Sequence, residues 1–203
     1  MRGVALCLIG DMTTNLASRS DYRVGTWKLD PTHSELSFWV RHLKISKVRG
    51  TFENFDVTVV TPEDPSKISV EASIDVSSVN TGVEARDNHL RSSDFFLVEE
   101  HPHMLFRSTG IQVDGDDFTM EGELTLRGVT QAVTLKGEFG GIVTDDYGNT
   151  KAGASASTKI NRQDFGVSWN AALEAGGFTL GDDVTISIDL QVTLQQAEAS
   201  AAA

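Results

Sequence analysis

Cysteine is nearly absent from this chain, Cys7 being the single one among 203 residues. One thiol can form no intramolecular disulfide and no thiolate metal cluster. Positive charge is also in deficit, with 17 Lys and Arg against 29 Asp and Glu, a net charge of −12. Such a surface repels phosphate, so nucleic acid is excluded as a partner, and docking on anionic lipid by charge alone is disfavoured. No run approaches the roughly 18 apolar residues of a membrane-spanning helix, so no integral membrane segment is expected. The apolar run at 4–9 follows Arg2 but falls short of the roughly 7–15 residues of a signal-peptide core. Asp11 comes straight after it, and residues 15–17 make a poor cleavage site. Residues 1–21 are therefore expected to be a disordered cytoplasmic leader, with export as the alternative.

What the chain does contain is alternation. A hydrophobic content of 39% with 23% charged residues fits one soluble globular domain. Leu36, Phe38 and Val40 alternate with mostly polar neighbours, as do Phe55, Val57 and Val59. The cleanest case is 68–76, where Ile68, Val70, Ala72, Ile74 and Val76 alternate with Ser69, Glu71, Ser73 and Asp75. Period 2 of this kind marks a half-buried strand. Further rows follow in Met104, Phe106, Ile111 and Val113, then Phe118, Met120, Leu124 and Leu126, then Val133, Leu135 and Phe139. Two more run through Ala152, Ala154 and Ala156 and through Val184 to Leu194 on even positions. Turns fall at Asp30-Pro31-Thr32, at Asp114-Gly115-Asp116-Asp117 and at 145–149. About eight strands in one meander predict a single domain over 22–195, with a disordered tail at 196–203. A closed antiparallel barrel satisfies the pattern without exposed edges. A two-sheet sandwich satisfies the alternation equally well.

One stretch interrupts the alternation. Residues 86–96 read Arg-Asp-Asn-His-Leu-Arg-Ser-Ser-Asp-Phe-Phe, and a short helix is predicted over 83–92. Dense polar groups followed by an aromatic pair belong at a rim, so this segment is expected to cap or gate a greasy interior. Arg86, Asp87, His89 and Arg91 can contact a ligand head group there. They can equally form a salt-bridge lattice that fixes the cap.

Reactive constellations are weak. Gly153-Ala154-Ser155-Ala156-Ser157 lacks the last glycine and the helix of a nucleophile elbow. Asp114-Gly115-Asp116-Asp117 lacks the ligand spacing and terminal glutamate of a calcium loop. His101-Pro102-His103 is a legitimate metal half-site that His33, His42 or His89 would have to complete, and solvated histidines account for it more simply. No catalytic group, metal or cofactor is expected. The interior carries large residues beside small ones, Gly122, Gly137, Ala152, Ala154 and Ala156. The small ones either make room for neighbouring aromatics or leave a channel along one wall.

Several motifs in register resemble the YceI-like family of lipocalin-like, polyisoprenoid-binding proteins. They are Leu29-Asp30-Pro31-Thr32-His33-Ser34, Phe38-Trp39-Val40-Arg41-His42-Leu43 and Gly50-Thr51-Phe52. Ser78-Val79-Asn80-Thr81-Gly82, the whole of 86–96, Gly122 to Thr130, Ile160-Asn161-Arg162-Gln163-Asp164-Phe165-Gly166 and Gly181-Asp182-Asp183-Val184 continue the match. The resemblance implies an all-β, eight-stranded antiparallel lipocalin-like barrel with a short helical cap. It further implies a non-catalytic carrier or store for a long isoprenoid lipid of polyprenyl or quinone-precursor type. The family is often secreted or periplasmic, and this chain departs from it in its N-terminal segment. Strand parity nominates Phe38, Val40, Val57, Phe106, Leu124, Leu126, Leu135 and Ala154 as the ligand wall, with Phe165 added. The alternative is a protein-interaction module of a stress or envelope response with a side-chain-filled barrel. A homodimer is admitted as the assembly.

Overall fold

The alternating segments form strands that close on themselves. A computed structural model describes residues 22–172 and 177–196; the leader expected at 1–21 and the tail from 197 lie outside the described residues. In chain order the strands are β1 (Gly25–Leu29), β2 (Glu35–His42), β3 (Ser46–Phe52), β4 (Phe55–Thr61), β5 (Ser69–Asp75) and β6 (Val79–Asn80). Helix α1 (Glu84–Arg91) follows, and then β7 (His103–Asp114), β8 (Asp117–Leu126), β9 (Val129–Thr144), β10 (Thr150–Asn161) and β11 (Leu180–Leu194). The ring runs β1-β4-β5-β7-β8-β9-β10-β11, and a β1–β11 pairing closes it. Every pairing is antiparallel. That closure settles the barrel against the sandwich.

Eleven strands make eight walls because three walls are bent. β2 continues β1, β3 continues into β4, and β6 continues β5. The first bend is set by Asp30, whose Oδ1 accepts from the Thr32 amide at 3.1 Å and the Thr32 hydroxyl at 2.7 Å. Pro31 has no amide to offer a ladder, so pairing stops there. The same carboxylate takes the Lys151 ammonium at 2.7 Å and the Gln191 amide at 2.9 Å, pinning the bend to β10 and β11. That ammonium, before any other contact, holds the Asp30 carboxyl far below the usual carboxylate range. The third bend repeats the device: Asp75 accepts from Ser77 at 2.9 Å and opens a 3-10 turn, Val76–Ser78.

Two bulges change which side faces in. The β7–β8 register slips between Ser108 and Gly110, so the inward set moves from Met104 and Phe106 to Ile111 and Val113. In the β9–β10 pair a slip at Gly153/Ala154, with Gly141 at φ +104°, turns Ile142 inward after Phe139. An extra residue on one strand reverses parity beyond it. The β8–β9 hairpin is tight, with Arg127 and Gly128 both at positive φ, as a two-residue primed turn requires.

At one end the sheet parts between β6 and β7, and residues 81–102 fill the gap. Leu90, Phe95, Phe96 and Val98 join one packed cluster with Phe52, Val76 and Val79. Phe52 lies 5.4 Å from Phe38 and 5.8 Å from Phe96, ring centre to ring centre. Phe165 and Val167 complete this floor from the segment after β10. Buried Arg162 fastens that segment, donating to the carbonyls of Val167 at 2.6 Å, Trp169 at 2.9 Å and Gly181 at 3.0 Å. Asp182 takes its remaining nitrogen at 3.1 Å. This end of the barrel is closed by packed side chains.

Candidate binding site

Above that floor the barrel is hollow. Inward side chains of every wall enclose an elongated space of about 250 Å³. Trp27, Val57, Val70, Phe106, Phe118, Met120, Leu135, Phe139, Ala154, Ile188 and Leu190 are among the lining. Along β8 and the turn before it, the space reaches from Asp116 to Leu124. Eight residue-to-residue steps at ~3.4 Å each, tilted by about 40°, give a depth of roughly 20 Å. A space so long and thin suits a linear chain. The lining includes loop residues Tyr22, Arg23, Gly115 and Asp116 from the end opposite the floor, which is the mouth. Arg23 and Asp116 are also its charged members among the described residues. Trp27 is buried and donates its indole N–H to the Thr61 hydroxyl at 2.8 Å, so it stands as a fixed wall near the mouth.

The small inward residues divide between two duties. Phe106 lies over Gly122, Phe118 over Gly137 and Phe38 over Gly50, each ring where a β-carbon would sit. Without Gly122 and Gly137 the Phe106 and Phe118 rings would stand into the lumen. Ala152, Ala154 and Ala156 instead line the cavity directly. Glycine makes room for the aromatics, and alanine leaves the channel. A wider depression over β7 to β11, lined by residues such as Gln112, Lys136, Glu138, Ser155 and Asp189, lies on the polar outer face and is open to solvent.

The nominated residues fall in two groups. Val57, Phe106, Leu124, Leu135 and Ala154 line the cavity. Phe38, Leu126 and Phe165 belong to the packed cluster below it. Val40 pairs with Val48 and Val184 in the same lower part of the wall. Absent from the nominated set are Trp27, Ile111 and Ile142, all of which line the cavity. Ile111 and Ile142 depend on the bulges. An odd-numbered jump between apolar positions, Phe106 to Ile111 and Phe139 to Ile142, is the signal that marks them.

The polar segment at 86–96 is a cap, as expected, but it stands at the closed end. Asp87 is buried and accepts from the Thr81 amide at 2.9 Å and the Thr81 hydroxyl at 2.5 Å. Arg86 donates to the Thr81 hydroxyl at 2.6 Å and carbonyl at 2.9 Å. Arg91 donates to the carbonyls of Ser77 at 2.7 Å and Val79 at 2.9 Å. His89 bonds Asp94 at 2.8 Å and sits edge-on between Phe95 and Trp169. The lattice consists chiefly of bonds from side chains to the backbone, with few ion pairs, and none of the four residues lines the cavity. His101 and His103 form no cluster of metal-ligating side chains among the described residues.

A closed eight-stranded antiparallel barrel with a blind apolar interior and a helical plug is the lipocalin-like architecture. Within that class the chain belongs to a specific family: residues 27–192 match the YceI-like domain. A UPF0312 protein of Staphylococcus aureus strain N315 is 37% identical over 169 residues, covering 82% of this chain and 96% of the relative. A YCEI protein of Campylobacter jejuni superposes with a TM-score of 0.66 at 29% identity, covering 77% of this chain and 90% of that one. BcnA of Burkholderia cenocepacia gives a TM-score of 0.70 at 21% identity, covering 80% and 98% of the two chains. A polyisoprenoid binding domain from Saccharophagus degradans gives 0.64 at 16% identity, covering 85% and 100%. The last two likenesses establish the fold.

Proposed function

We propose that this protein binds one long, linear isoprenoid lipid in the barrel and carries or stores it without chemical change. The observation that supports it most is the blind apolar cavity itself. Cavities in well-packed cores cost ~24 cal/mol per Å³, so leaving about 250 Å³ unfilled costs several kcal/mol. Net domain stability is only about 5–15 kcal/mol. Each CH₂ moved from water into such a wall gains about 0.8 kcal/mol, which drives a polyprenyl or quinone-precursor tail inward. The neighbour described as a polyisoprenoid binding domain shares the barrel and supports the same class of cargo. A binding role also fits the lining, whose charged groups stand at the mouth and whose depth is apolar. The filled-barrel alternative conflicts with the open interior.

The test is solvent extraction of the purified protein followed by mass spectrometry of the extract. A stoichiometric isoprenoid lipid is expected. An extract with no enriched lipid, from a protein that also refuses added polyprenols, would overturn the proposal.

A further inference from the structure

The two ends of the barrel differ in charge, and the difference bears on which head group the cargo carries. Three loops and the segment before β1 surround the mouth. Among the described residues they carry Glu63, Asp64, Asp114, Asp116, Asp117, Asp145 and Asp146 against Arg23, Lys67 and Lys151. These cations are engaged: Lys67 stands 3.5 Å from Asp64, Lys151 is held by Asp30 at 2.7 Å with Asp145 at 3.9 Å, and Arg23 donates to the Tyr22 carbonyl at 3.0 Å. Tyr22, which lines the mouth, has its phenol pushed up by burial first and by the Asp64 carboxylate second. Of the guanidiniums, those of Arg86, Arg91 and Arg162 are at the closed end and spend donors on backbone carbonyls, while Arg23, at the mouth, is outnumbered there by carboxylates. The closed end also blocks passage through the barrel, so cargo enters tail-first and leaves its head among the carboxylates.

We infer that the cavity selects amphiphiles with an uncharged head, of alcohol or quinone-ring type, over those with a phosphate head. The inference rests on the lipid-carrier proposal above and narrows its cargo. A phosphate head carries up to two negative charges into a field of excess carboxylates, and repulsion of like charges at these separations is screened within about 8–10 Å by salt.

The experiment uses the full chain, delipidated, with Nile red displacement by geranylgeraniol and by geranylgeranyl monophosphate, which share one tail. The alcohol is expected to bind at least about tenfold tighter at low salt. The gap should narrow severalfold in high salt. It should also narrow in the variant Glu63→Gln, Asp114→Asn, Asp117→Asn, Asp146→Asn, none of which lines the cavity. Asp64 and Asp145 are left in place because they hold their own turns. Phosphate binding as tightly as the alcohol would overturn the head-group inference and leave the carrier proposal standing. A gap indifferent to both salt and the four substitutions would also overturn it, since sterics rather than the mouth's charge would then be responsible. If neither compound displaces the dye from folded protein, the carrier proposal itself falls and the inference falls with it.

Discussion

At the scale of single residues, small side chains serve in two ways. Ala154 faces open space, so Ala154→Trp should be absorbed with a stability change of less than ~1 kcal/mol, against the 1–3 kcal/mol typical of overpacking. Lipid occupancy measured on the same variant should fall to near zero. Gly137 is the opposite case, because a β-carbon there meets both the Phe118 ring and the Ser155 carbonyl. Gly137→Val should therefore cost about 2–3 kcal/mol by thermal or denaturant unfolding, since backbone must move. Alternation showed that Val57, Phe106, Leu124, Leu135 and Ala154 point inward, and these do line the cavity. It could not show how far along the axis each residue lies. Phe38, Leu126 and Phe165 are therefore found in the floor, where inward side chains touch one another and leave no lumen. Nor could the alternation reveal that a glycine and a phenylalanine on neighbouring strands occupy the same space.

At the scale of elements, the bends and the cap carry the predictions. Asp30 joins the β1/β2 bend to β10 and β11, and its carboxyl is held well below its ordinary range by Lys151. A carboxylate depressed in the folded state contributes stability above its unfolded value of about 3.9, and the contribution disappears as pH falls through and below that region. The stability advantage of the native chain over Asp30→Asn should thus be full at neutral pH and shrink steadily under acid, as followed by thermal melts between pH 7 and pH 2. The cap is tested by Arg91→Ala, which leaves the Ser77 and Val79 carbonyls without their donor. A loss of about 1–3 kcal/mol is expected, with lipid occupancy and head-group preference unchanged in whatever fraction remains folded. A change in head-group preference would instead place Arg91 at a rim. The sequence made the cap visible because polar density broke the period-2 pattern. Which end it occupied was not visible, because that depends on β6 being only two residues long and leaving a gap beside β7.

At the scale of the whole molecule, closure and asymmetry determine what the barrel does. The β1–β11 pairing closes the body of the barrel, three bends let eight walls accommodate both a packed floor and a hollow body, and residues 81–102 fill the one gap, beside β6, and seal that end. The result is a container with one entrance. That eight walls would close was foreshadowed by the meander of half-buried strands together with the motif match. The hollow was not foreshadowed, because identical alternation serves a filled barrel and an empty one, and only the summed volumes of facing side chains distinguish them. Native mass spectrometry of the purified full chain, beside Ala154→Trp, tests the central claim most directly. A single lipid adduct per chain is expected on the native protein, released on activation to a lower mass, and none on the variant. A native protein that flies only at its bare polypeptide mass, even after incubation with polyprenols, would contradict it.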